Sequence, residues 1–129
     1  MDRQRILVVE DDENLVQLFN EVLSEAGYEI TTMDSALGAA ALVRHLQPCV
    51  VLLDLGLPFR PGTSLLDELK SNPETAGVPV VVVSGLAETL SYERRTLAAA
   101  VLAKPVGLGS LLDAIRNACS QSRERATVD

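Results

Sequence analysis

Five short apolar runs punctuate this chain, and they constrain its fold more than any other feature. They are Ile6–Val9, Tyr28–Met33, Cys49–Asp54, Pro79–Ser84 and Val101–Ala103. Most are rich in β-branched residues, and the third and fourth show no polar alternation until their last residue. Runs of this kind read as strands buried on both faces. Between them lie longer segments whose apolar residues recur at helical spacing, such as Leu15, Leu18, Phe19, Val22, Leu23 and Ala26. Both-face strands separated by amphipathic helices need a cover on each side of the sheet. The pattern therefore predicts an α/β, doubly wound, three-layer (βα)5 domain with a five-stranded parallel sheet and right-handed crossovers.

Local signals place the helices. Asp11 or Asp12 can cap a first helix over residues 14–26, with Gly27 just past its end. Asp34 or Ser35 can cap a second helix running to about Leu46. Ser64 followed by Asp67 resembles a capping box for a third helix ending near Ser71. A weaker, more polar helix is expected over about Glu88–Leu97. A last one runs from about Leu108 to Cys119 with one stripe made of Leu108, Leu111, Leu112, Ile115 and Cys119. The expected division is a domain over residues 1–119 and a polar, frayed C-terminal tail over 120–129.

Composition removes several function classes. The 129 residues carry 11 Lys and Arg against 18 Asp and Glu, a net charge of −7. A nucleic-acid partner for this domain is therefore not expected, because phosphate contacts need clustered positive charge. No apolar run approaches the ~18–20 residues of a membrane span, and the N-terminus does not read as a signal peptide. Two cysteines, Cys49 and Cys119, without a CxxC pair offer no disulfide scaffold, and the single His45 leaves no zinc site. The expectation is a reduced, cytoplasmic protein. His45 reads as a surface residue at a helix end, and Cys49 as a small buried residue at a strand start.

In a parallel sheet the carboxyl ends of the strands share one edge, and ligands of doubly wound folds bind there. The first run ends in Glu10-Asp11-Asp12, the third in Asp54, the fourth in Ser84 and the fifth in Lys104-Pro105. The topology thus gathers three or more carboxylates, a hydroxyl and an ammonium. Clustered carboxylates repel and require neutralisation. A hard, oxygen-liganded cation such as Mg²⁺ together with Lys104 balances Glu10, Asp11 and Asp54. Such a site suits phosphoryl transfer onto an Asp nucleophile, with Ser84 donating to a phosphoryl oxygen. Asp12 is better explained as a helix-end charge.

The segments ILVVEDDE at 6–13, VVLLDLGLP at 50–58 with Gly62, VVVVSG at 80–85 and AKP at 103–105 resemble, in order and spacing, the receiver domain of bacterial two-component response regulators. The resemblance spans about residues 5–118. It implies a flavodoxin-like strand order 2-1-3-4-5. Asp54 would be the phosphoacceptor, taking its phosphoryl group from a sensor histidine kinase or phosphotransfer protein. Asp11 would bind Mg²⁺ directly, Glu10 through water, and Gly56 through its backbone carbonyl. Lys104 would contact the phosphoryl group and precede a cis Pro105. Ser84 would turn inward and couple the chemistry to a surface read by a downstream protein target, with dimerisation through that surface left open. Such a domain is a switch rather than an enzyme, with self-phosphorylation and slow autodephosphorylation only.

Departures from the family pattern also carry information. The position three before Lys104, often aromatic, is Val101, so the aromatic switch is absent or replaced. The stretch from Ser84 to Lys104 is about two residues short, which predicts a tight loop before the fifth strand. The chain carries no output domain after its last helix, as in a stand-alone receiver or one cut from a larger protein. Two other readings compete. A degenerate receiver would act as a phosphorylation-independent interaction module. An aspartyl-phosphate phosphatase would need a second acid two residues after the nucleophile, where this chain has Gly56. Gly62 reads as a tight-turn residue.

Overall fold

The computed structural model describes residues 3–128, with side chains through residue 122. Five strands are formed by Arg5–Val9 (β1), Glu29–Met33 (β2), Val50–Leu53 (β3), Val80–Ser84 (β4) and Ala100–Ala103 (β5). All pair in parallel, in the order β2-β1-β3-β4-β5. The helices are Glu13–Glu25 (α1), Ala39–Leu46 (α2), Gly62–Ser71 (α3), Tyr92–Leu97 (α4) and Leu108–Val128 (α5), with a 3₁₀ turn over Ala87–Thr89. No helix among the described residues is long and apolar enough to cross a membrane.

The two faces of the sheet build two cores. Leu7, Val9, Val51, Leu53, Val80 and Val82 pack against Ala39 and Val43 of α2 and Leu65, Leu66 and Leu69 of α3. Ile6, Val8, Val50, Leu52, Val81 and Val83 pack against Phe19 and Leu23 of α1 and Leu111 and Ile115 of α5. Adjacent residues along the inner strands β1, β3 and β4 serve opposite cores, which is why those strands are almost wholly apolar, whereas the edge strand β2 is more polar and only partly buried.

Several helix boundaries differ from expectation, each for a local reason. Asp12 caps α1 as expected, accepting from the amides of Asn14 (3.0 Å) and Leu15 (3.3 Å). Neither Asp34 nor Ser35 caps α2: Ser35 Oγ accepts from Leu37 in a bend, and α2 begins after Gly38, at φ 77°. The capping box at Ser64 does not form. The third helix starts earlier, after Pro61, and Asp67 points to Arg94 instead. The fourth segment splits into the 3₁₀ turn and a six-residue α4 capped by Ser91. Only Ala98 and Ala99 separate α4 from β5, the tight connection that the short spacing predicts. The last helix continues past Cys119 to Val128.

The cysteines depart most from the sequence reading. Cys49 and Cys119 are joined in a disulfide, with Cα atoms 4.7 Å apart. The buried stripe of α5 brings Cys119 onto the start of β3, a contact that spacing along the chain does not reveal. Val101 packs toward the α2–α3 core rather than standing free.

Candidate functional site

The site lies along the carboxyl edge of the sheet. β1 delivers Glu10, β3 delivers Asp54, β4 ends in Ser84, and β5 leads into Lys104, whose bond to Pro105 is cis as the resemblance implies. Register brings these tips together: Val9 pairs with Leu53, Leu53 with Val82, and Ser84 with Ala103. The Asp54 amide donates to the Val9 carbonyl (3.1 Å) and the Lys104 amide to the Ser84 carbonyl (3.1 Å), so ladder bonds hold the backbone under the functional groups.

Lys104 Nζ donates to Glu10 Oε1 at 2.7 Å and to Asp54 Oδ2 at 3.3 Å. Carboxylate oxygens of Glu10, Asp11 and Asp54 all lie within 4.8 Å of one another. Glu10 and Asp54 are buried and Asp11 is exposed, so the cluster opens to solvent on the Asp11 side. Backbone amides complete the inner pair: Asp12 N donates to Glu10 Oε2 (3.1 Å) and Gly56 N to Asp54 Oδ1 (3.3 Å). Residues 10, 11, 54, 84 and 104 therefore meet, as the strand-end reading predicts.

The environments of the two buried acids differ. Burial pushes the Glu10 carboxyl above its ordinary value, and the Lys104 ammonium only partly offsets it. Burial also acts on Asp54. There the Ser84 hydroxyl, the Lys104 charge and the Gly56 amide together outweigh it and hold the carboxyl below its ordinary value. For Lys104, burial opposes the charged form, but the two acids prevail and hold its ammonium above the ordinary lysine value. Of the two carboxyls, Asp54 is the one whose surroundings favour the ionised form more strongly.

Three carboxylates against one ammonium leave a local charge of −2 when all are ionised. The donor set is all oxygen, half-buried and open on one side. That combination fits a hard divalent cation that keeps several waters. Sequence reasoning placed Lys104 toward a phosphoryl group; its direct pairing with Glu10 is an addition from the structure. Ser84 Oγ accepts from Leu86 N (3.1 Å) and Leu55 N (3.4 Å), which leaves its own proton for the Asp54 carboxylate.

One residue beneath the site was read for another purpose. Gly62 is not a left-handed turn residue. A Cβ there would overlap the Asp54 carbonyl oxygen and lie 2.8 Å from Leu55 Cα. Its amide also donates to the Leu55 carbonyl at 2.8 Å. The glycine lets α3 start directly against the backbone of Asp54.

This arrangement coincides with a match to the response regulator receiver domain model over residues 6–116. The chain belongs to the response regulator receiver domain family. Among similar proteins, the DNA-binding response regulator MtrA of Mycobacterium tuberculosis is 36% identical over 88 residues, covering 68% of this chain and 37% of MtrA. The polar-differentiation response regulator DivK of Brucella ovis is 29% identical over 114 residues, covering 87% of this chain and 93% of DivK. A sensor protein from Polaromonas sp. JS666 superposes with a TM-score of 0.85 at 29% identity, covering 94% of this chain and 99% of that one. The chain spans little more than a third of the length of several curated relatives it matches. As a receiver domain, this chain is a module of two-component signalling.

Proposed function

We propose that Asp54 is the phosphoacceptor of this receiver domain, which acts in the cytoplasm and accepts a phosphoryl group from the phosphohistidine of a sensor histidine kinase or phosphotransfer protein. The observation that carries this reading is the Lys104 ammonium held between Glu10 (2.7 Å) and Asp54 (3.3 Å). It keeps the nucleophile ionised and places a positive charge where phosphoryl oxygens would gather. An Asp54 carboxylate oxygen forms the new bond to phosphorus as the phosphorus–nitrogen bond to imidazole breaks, its electron pair remaining on the histidine nitrogen. Asp11, Asp54 and the Gly56 carbonyl would hold Mg²⁺, with Glu10 acting through water. When bound, the ion neutralises charge on the transferred group.

The same geometry suggests how the event is read. Ser84 Oγ holds the Leu86 and Leu55 amides, and its hydroxyl faces the Asp54 side. Turning toward a phosphoryl oxygen on Asp54 weakens the bond to Leu86 N and frees the segment Ser84–Glu88. Val101 offers no aromatic switch, so the change passes through the loop after β4 and through the Val101–Lys104 strand to a downstream protein target. Residues 1–119 would form the receiver unit, with 120–129 an appended segment.

Acetyl phosphate with Mg²⁺, followed by intact mass spectrometry, tests the reading. One added phosphoryl group, absent from Asp54→Asn and absent with chelator, is the expected result. No adduct from any small donor or kinase would overturn it, and sustained phosphate release would indicate a phosphatase instead.

A further inference from the structure

Cys49 and Cys119 play no part in the phosphoryl site. Cys49 immediately precedes β3, at the opposite end of that strand from Asp54, roughly 16 Å away at the usual strand rise. Its amide is fixed to the Arg5 carbonyl at 2.8 Å. Cys119 closes the buried stripe of α5 after Leu111, Ile115 and Ala118. Both side chains sit in the core between the sheet, α1 and α5. Their bond links residues 70 apart in sequence, and the segment it closes contains Asp54, Ser84 and Lys104. β3, β4, β5 and α5 as far as Cys119 therefore lie within one covalent ring.

We propose that Cys49 and Cys119 are a dithiol–disulfide modification site that locks the C-terminal half of α5 onto the amino end of β3 when oxidised and releases it when reduced. As thiols, both behave as small apolar side chains and keep their places in the core, so the reduced protein retains its fold. As a disulfide, they prevent α5 from lifting away from the sheet beyond Ile115. The co-reactant is a low-molecular-weight disulfide. One cysteine thiolate attacks its S–S bond, giving a mixed disulfide and expelling one thiolate. The second cysteine thiolate attacks the protein-side sulfur, forming the Cys49–Cys119 bond and expelling the other. The two protons lost by the cysteines end on the two expelled thiols; the protein loses two electrons and the small disulfide gains them. With both sulfurs buried, exchange proceeds through opening of the end of α5, so it is slow on the folded protein.

The test uses the full chain, equilibrated with oxidised glutathione or with a phosphine reductant. Each sample is unfolded, alkylated with iodoacetamide and weighed. The oxidised sample is expected to take no alkyl group and the reduced sample two. Amide hydrogen exchange on the folded protein then compares the two states. Residues 111–119 are expected to exchange about tenfold faster when reduced, with α1 and β1 unchanged. Cys119→Ala is expected to match the reduced protein whatever the redox conditions. Two alkyl groups after oxidised glutathione, a cross-linked dimer, equal exchange of α5 in both states, or loss of protection throughout the reduced chain would each overturn the proposal. The wild-type comparison stands even where the alanine variant does not fold.

Discussion

Replacing Gly62 by Ala is a severe test of how the phosphoacceptor strand is seated. The added Cβ would overlap the Asp54 carbonyl oxygen, sit 2.8 Å from Leu55 Cα and 3.0 Å from the Asp54 carbonyl carbon. All three obstacles are backbone, so no side chain can swing aside. Overpacking of this kind costs about 1–3 kcal/mol. Alanine recovers part of that by its helix propensity, at most ~0.5–1 kcal/mol. A net loss of about 1–2 kcal/mol corresponds to a fall in Tm of roughly 4–8 °C for a chain of this size. Relief requires α3 to move off the Asp54–Leu55 backbone, which displaces the carboxylate from Lys104 and slows phosphorylation by acetyl phosphate. Gly109→Ala supplies the control. Nothing lies within 4 Å of a Cβ there, and the residue is in the first turn of α5. That variant is expected to keep or slightly raise Tm. Thermal denaturation by circular dichroism measures both. Equal melting of Gly62→Ala and wild type, with undiminished phosphorylation, would refute the close-approach argument.

Three further outcomes are expected. The bidentate Arg94–Asp67 pair, with contacts of 3.1 and 2.7 Å, joins α4 to α3 and holds the Asp67 carboxyl below its ordinary value of 3.8. A double-mutant cycle with Asp67→Asn and Arg94→Gln should give a small favourable coupling, because both side chains are substantially exposed. A depressed carboxyl pKa makes that coupling fully present above pH 3.8 and lost as pH falls through the folded-state value; constant coupling down to pH 2 would contradict the assignment. Mg²⁺ at a hundredfold excess over its Kd should stabilise the protein by about 2.7 kcal/mol, reversed by chelator and absent in Asp11→Asn, as differential scanning calorimetry can show. Reduction of Cys49–Cys119 should lower the urea-unfolding free energy by about 2–4 kcal/mol, given the long segment it closes; identical unfolding curves would exclude such a tether.

The parts of this protein legible in its sequence are those governed by local periodicity or by topology. Uninterrupted valines at 80–83 can only be a strand buried on both faces, and a parallel sheet then brings Asp54, Ser84 and Lys104 to one edge. Parts decided by a competing long-range contact were not legible. Ser64 and Asp67 carry the spacing of a capping box, yet Arg94, 27 residues away, takes the carboxylate. Asp34 and Ser35 are good caps, but a left-handed Gly38 delays α2 until Ala39. Gly62 looked like a turn glycine, whereas its role is to leave room for the Asp54–Leu55 backbone that follows β3. Cys119 was visible on the buried stripe of α5; that its neighbour would be Cys49 depends on how α5 lies across the sheet.

The four strand tips that carry reactive groups all lie on one rim, and the returns into the strands, at residues 26–28, 47–49, 72–79 and 98–99, lie on the other. No acid, hydroxyl or ammonium of the pocket is borne by those returns. Lengthening one of them costs only about 0.6 kcal/mol per doubling of its length. Grafts, tags or inherited insertions on that far rim can therefore accumulate while the chemistry stays untouched, whereas a change of one residue on the near rim edits it directly.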